Sequence, residues 1–265
     1  MKTKRESHRT RTLLSLIVLI GVCQLAELPG VYAQNTVHTT TLGEVDAVTP
    51  EISTEQLERI LAEGSEPVLD VRFAREYAIA HIPGSINIYE KEIDAIIKQF
   101  PDRTQRMILY CNGPFCGKSK RVSSELVKLG YTNARRYQLG LPVWRALGHT
   151  VQTDIEGFRY VFGSDKTAVF VDARSQKEFA AGTVPGAVNI RVGEAEQANE
   201  PTDGRLPHKD KGTRVIVFGG KPQEARIVAE EIAKKAYWNS SYFGGAIEDL
   251  KQAGVWQNKS SSPKE

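Results

Sequence analysis

The order Asp70-Val71-Arg72, Glu76, Tyr77, Pro83, Gly84, Asn87 and Ile88 returns 102 positions later, without a gap, as Asp172-Ala173-Arg174, Glu178, Phe179, Pro185, Gly186, Asn189 and Ile190. Self-similarity of this kind marks an internal duplication. It divides the chain into two units of ordinary domain size, 50–150 and 151–257. The second unit carries an extra stretch, Val192 to Gly212, whose Glu, Pro, Asp, Gly and Lys content predicts a surface loop. Beyond it the units realign, with Arg214 to Gly220 answering Arg106 to Asn112, and Gly219 stands where Cys111 stands.

Each unit alternates short apolar runs with helical patterns. In the first, Ser53 and Gln56 have capping-box spacing and open a helix through Ala62 that stops at Gly64. Strands are expected over Pro67–Val71, Ser85–Ile88, Met107–Tyr110 and Ala134–Tyr137, and helices over Phe73–Ala80, Glu90–Phe100 and Lys118–Leu129, with a short one around Trp144. Such alternation implies an α/β class in which a mainly parallel sheet is flanked by helices.

The ends of the chain read differently. Lys2, Lys4, Arg5, Arg9 and Arg11 precede the apolar run Leu13–Val22, and Val31-Tyr32-Ala33 supplies a cleavage site, so residues 1–33 are expected to be a secretory signal peptide. The run is about half of the ~20 apolar residues that a membrane span needs. A periplasmic or secreted protein follows, without stable membrane association once the leader is removed. Residues 34–49 read as a flexible lead-in and 258–265 as a disordered tail. Without the leader the chain holds 30 basic and 30 acidic residues, which gives no case for nucleic-acid binding. Cys23 leaves with the leader, and Cys111 and Cys116 are too close to staple a fold, so the pair is local chemistry.

Those cysteines bracket Cys111-Asn112-Gly113-Pro114-Phe115-Cys116, between the apolar strand Met107–Tyr110 and the basic segment opened by Lys118. A thiol at the end of a buried strand, facing loop amides and a helix N-terminus, is favoured as a sulfur anion. The same position also suits an ordinary buried cysteine. Cys116 is the second candidate thiol of the pair.

Asp-x-Arg followed by Glu-aromatic, then His81-Ile82-Pro83-Gly84-Ser85-Ile86-Asn87, then the Tyr110-Cys111 loop, then Leu139-Gly140 with Trp144 and Gly148, resembles the rhodanese family of sulfurtransferases. The resemblance covers both units and implies two tandem rhodanese-like domains. It further implies that Cys111 takes a sulfane sulfur from a donor, holds it as a persulfide and passes it to a thiophilic acceptor, with no cofactor. The loop of such enzymes is six residues, here Cys111 to Cys116. Two departures stand out: familiar tandem members carry the cysteine in the second unit, and many single-domain members have Arg where this chain has Cys116. Phosphatases and arsenate reductases with related loops need Arg six positions after the cysteine, and here that position is Gly117.

An anionic persulfide calls for nearby cations, and Lys118 is the first choice, with Arg75 a second because the other unit has no basic counterpart. Asp70 and Arg72 recur in the unit without a thiol, so they are expected to hold the fold. His81 is expected to be a turn residue. No His/Cys/Asp cluster has metal-ligand spacing, and no metal is expected. Trp144, Trp238 and Trp256 are expected in core or interface packing. Two other classes remain open: a dithiol redox protein cycling Cys111 and Cys116 with a thiol reductant as partner, and a non-catalytic binding module.

Overall fold

The computed structural model describes residues 36–258. The leader reading over 1–33 and the last seven residues lie outside the described residues. In the first repeat the elements are α1 (Thr54–Glu63), β1 (Val68–Asp70), α2 (Ala74–Ile79), β2 (Ile86–Asn87), α3 (Ile93–Gln99), β3 (Met107–Tyr110), α4 (Lys118–Lys128), β4 (Ala134–Tyr137) and α5 (Gly140–Ala146). The second comprises β5 (Val151–Thr153), α6 (Ile155–Ser164), β6 (Val169–Asp172), α7 (Gln176–Ala181), β7 (Gly182–Thr183), β8 (Val188–Asn189), α8 (Ala195–Ala198), β9 (Val215–Phe218), α9 (Pro222–Ala233), β10 (Ser240–Phe243), α10 (Ile247–Gln252) and β11 (Gln257–Asn258).

Two parallel sheets result, ordered β2-β1-β3-β4 and β5-β10-β9-β6-β8. Strands β1, β3, β6 and β9 are short, mainly apolar runs because helices cover both faces. Alternation along β3 sends Ile108 and Tyr110 to one face, and Met107, Leu109 and then Cys111 to the face packed by Val122 and Leu126 of α4. The same alternation on β9 separates Val215 and Val217 from Ile216 and Phe218. Ser53 and Gln56 form the expected capping box on α1, which ends at Gly64 with φ 59°.

The repeated residues hold the same bonds twice. Asp70 pairs with Arg72 and Asp172 with Arg174, and the guanidinium donates on to Ala80 O or Gly182 O at 2.7 Å. Asn87 and Asn189 each tie two carbonyls of the adjoining strand end. The duplicated motif is therefore an architectural joint, present in the repeat that has no thiol.

The repeats meet where α2 packs on α6. Asp154 N donates to Ala78 O at 2.8 Å and Thr153 Oγ1 to Ile79 O at 2.8 Å. His81, buried and stacked on Tyr77, pairs through its backbone with Gln152 of β5, so it serves the joint between repeats as well as its turn.

Four expectations need correction. Val192–Gly212 is not only a surface loop: it contains α8 and sends Ala195, Ala198 and Leu206 into the core. The helix expected over Glu90–Phe100 begins at Ile93, because Glu90 N is drawn to Val71 O and Glu92 N to Tyr89 O. Trp238 is 56% exposed rather than packed. The lead-in makes defined contacts, Glu44 pairing with Lys120 and Arg136; of the tail only Asn258 is described, and it closes β11 against β7. Among the described residues, no helix is long and apolar enough to cross a membrane.

Candidate active site

Cys111 follows β3 directly and opens the segment 111–117 that leads into α4. The second repeat has only 219–221 between β9 and α9, and Glu224 turns back to accept from Gly220 N at 3.2 Å. A Cβ on Gly219 would lie 3.1 Å from that carboxylate. The second repeat thus lacks both the thiol and the room for a cradle.

The loop of the first repeat is held from beneath by Gln138, just beyond β4. Its Nε2 donates to Pro114 O and Cys116 O, both at 3.1 Å. Its Oε1 accepts from Arg136 Nη1 at 2.7 Å and from Ser119 Oγ at 3.1 Å. Arg136, itself buried, is bonded in turn to Thr49 and paired with Glu44. A polar chain therefore runs from the lead-in to the loop, which sequence reasoning missed because its members are distant in sequence and individually unremarkable. Gly140 seats the other side: with φ 65°, a Cβ there would sit 2.5 Å from Gly113 N and 2.6 Å from Cys111 O.

Cys111 is 2% exposed, and its sulfur lies 3.4 Å from Cys116 O and 3.3 Å from Ser119 Oγ. Burial, and then the hydrogen bond with the Cys116 side chain, push the Cys111 thiol above its ordinary pKa, against the lowering effect of the Ser119 hydroxyl and amide. This corrects the expectation of a favoured thiolate. The loop does not form a full ring of free amides around the sulfur: Cys116 N–H is taken by Gly113 O at 2.9 Å, and Pro114 has none. Phe115 projects fully into solvent.

The two cations chosen from sequence are engaged elsewhere. Lys118 lies 4.0 Å from the Phe73 ring centre and 3.5 Å from Glu76 Oε2. It acts on the loop through Glu76, whose other oxygen accepts from Asn112 Nδ2 at 2.7 Å. Burial opposes ionisation of Glu76, but the bonds from Asn112 and Phe73 N, with Lys118 nearby, hold its carboxyl below the usual range. Arg75 stacks over Tyr160 of α6 at 5.2 Å and so serves the contact between repeats. Arg121 pairs with Glu90.

A profile of the rhodanese-like domain family matches residues 53–147 and 162–253. The chain belongs to that family. Its two rhodanese-like domains account for the duplication, and the sheets flanked by helices are the expected α/β class.

Human thiosulfate:glutathione sulfurtransferase is 29% identical over 109 residues, 36% of this chain and 92% of that protein. Thiosulfate sulfurtransferase PspE of Escherichia coli is 37% identical over 71 residues, 26% of this chain and 65% of that protein. Among solved structures, a thiosulfate sulfurtransferase from Pseudomonas aeruginosa is 19% identical with a TM-score of 0.34, covering 77% of this chain and 43% of its own.

Two further features of this rhodanese-like chain were hidden in the sequence. A cleft of about 520 Å³ is lined by residues such as Glu58, His149 and Glu230 and by none of the Cys111 loop. The fold also gathers His38, Glu58 and His149 from positions too distant in sequence for local spacing to signal.

Proposed function

We propose that this chain is a sulfurtransferase working through a Cys111 persulfide. The observation that carries the reading is a cysteine at the head of a seven-residue strand-to-helix segment, with the Ser119 hydroxyl of the helix start 3.3 Å from its sulfur, in a repeat whose duplicate has neither the thiol nor a segment of that length. In the proposed step the Cys111 thiolate attacks the outer sulfur of thiosulfate, the new S–S bond forms as the donor bond breaks, and sulfite leaves with the electron pair. An acceptor thiolate then attacks the outer sulfur of the persulfide and restores Cys111. Ser119 donates to the anionic sulfur in both half-reactions. The loop must open for the donor to enter, because Cys111 is buried.

A second reading, dithiol redox chemistry, is supported by two free thiols in one loop, with the Cys111 sulfur 3.4 Å from the Cys116 carbonyl. In either case the basic, apolar and small-residue pattern of 1–33 supports an exported protein, and the partners are a sulfur donor, an acceptor and a thiol reductant.

Intact-mass measurement after thiosulfate treatment decides between them. Sulfur transfer predicts a gain of one sulfur atom that is abolished in Cys111→Ser and retained at least in part in Cys116→Ser. Loss of two hydrogens without a gain of sulfur would overturn the proposal.

A further inference from the structure

Away from the Cys111 loop, three side chains from separate parts of the chain converge. His38 lies in the lead-in, Glu58 on α1 and His149 between α5 and β5, and one ligand atom from each lies within 4.8 Å of the others. His149 Nε2 is 2.6 Å from Glu58 Oε1, and His38 Nδ1 is 3.8 Å from the same oxygen.

The arrangement is built rather than loose. The His149 ring stacks on Trp144 at 4.2 Å, and Trp144 is fixed by donating Nε1–H to Thr150 O at 3.0 Å. His38 is placed by its own carbonyl, which accepts from Glu55 N at 2.9 Å in the first turn of α1. An ordinary His–Glu pair would be joined by a hydrogen bond. Yet His149 Nε2 is buried and has no hydrogen-bond partner among the described residues, although Glu58 Oε1 lies 2.6 Å away. A buried ring nitrogen left without a hydrogen-bond partner, beside a carboxylate oxygen and a second imidazole, suits a shared cation.

We propose that His38, Glu58 and His149 form a three-ligand site for a divalent transition ion of the zinc class, clamping the lead-in to the first rhodanese-like domain. Two imidazoles with one carboxylate suit a borderline ion, whereas calcium and magnesium take oxygen sets. Glu58 and His149 also line the cleft of about 520 Å³, so a fourth position can be filled by water or by a ligand entering there. The site is independent of sulfur transfer, since neither its residues nor its cleft includes the Cys111 loop.

The test uses untagged full chain stripped with chelator, with all three thiols alkylated so that none can bind metal. Zn2+ is titrated by calorimetry, and Co2+ is followed by its visible ligand-field bands and by quenching of Trp144. One Zn2+ per chain is expected to bind at micromolar concentration or tighter and to raise the melting temperature. Loss of an outer-shell partner alone costs about 10–100-fold in metal affinity, so loss of a direct ligand in His38→Ala or Glu58→Gln should cost at least that. His208→Ala, altering a histidine outside the cluster, should bind like the parent chain. His38 is exposed, so its variant retains the fold, and circular dichroism verifies that. No saturable Zn2+ binding by the parent chain, or equal affinity in both ligand variants, would overturn the proposal.

Discussion

Ser119 Oγ lies 3.3 Å from Cys111 Sγ and 3.1 Å from Gln138 Oε1, so one hydroxyl serves two acceptors. When the sulfur is a thiol, the Ser119 proton goes to Gln138. When the sulfur is an anion, the hydroxyl can turn to it without stranding Gln138 Oε1, which keeps its bond from Arg136. A bond to a charged group is worth about 1.5–3 kcal/mol, and one pKa unit is about 1.36 kcal/mol. Ser119→Ala should therefore raise the Cys111 pKa by about one unit or more and slow sulfur loading about tenfold near neutrality. The deficit should close at high pH. An unchanged pH profile in the variant would refute the role.

The pH dependence of the parent chain follows from the same geometry. Since burial and the Cys116 contact raise the Cys111 pKa, the reactive thiolate is scarce below the ordinary thiol range and grows as pH rises. Alkylation of Cys111 should climb about tenfold per pH unit through neutrality and level off only above the usual thiol pKa of ~8.5. A plateau reached below pH 7 would contradict this. Gln138→Ala, which frees two loop carbonyls, should speed Cys111 alkylation by loosening the cover over a buried sulfur.

What the sequence made legible was what local pattern encodes. The duplication, the strand ending at Tyr110, the capping box at Ser53 and the position of the thiol all follow from spacing and periodicity. The electrostatics of the sulfur did not, because they depend on which atoms of the loop face inward. Cys116 presents its carbonyl to Cys111, and Lys118 turns to Phe73 and Glu76, choices made by tertiary packing. Gln138 and Arg136 carry no motif, and their importance exists only once β4 lies beneath the loop.

The close approach of the two domains is exacting at Gly157 of α6, where a Cβ would fall 2.0 Å from Ala78 O. That atom is backbone and cannot swing aside. Gly157→Ala should force α2 and α6 apart and destabilise the chain by about 1–3 kcal/mol or more. Residues 50–150 expressed alone lose this surface and should melt below the full chain. Denaturant unfolding measures both, and unchanged stability in both would show that the second domain does not support the first.

Restoring a thiol to the second domain should not restore chemistry. Gly219→Cys places sulfur beside Glu224, whose negative charge disfavours a thiolate, in a segment of three residues rather than seven. In a Cys111→Ser background, this variant should gain no sulfur from thiosulfate. A gain of sulfur by the double variant would show that the short loop suffices and that the longer one serves another purpose.

The cysteine pair also predicts a redox response. Cys111 and Cys116 are both free thiols at the two ends of one six-residue loop, and the Cys111 sulfur already lies 3.4 Å from the Cys116 carbonyl, so oxidation is expected to join them. The raised Cys111 pKa limits the rate, since exchange requires a thiolate. Treatment with a disulfide oxidant should remove both thiols together, slowly at neutral pH and about tenfold faster for each unit of increase below the thiol pKa. The oxidised chain should accept no sulfur until a reductant reopens the bridge. In Cys116→Ser, Cys111 has no partner and should instead form a mixed disulfide with the oxidant, distinguishable by mass. Two free thiols after oxidation at either pH would exclude the switch and leave Cys116 as a packing residue of the loop.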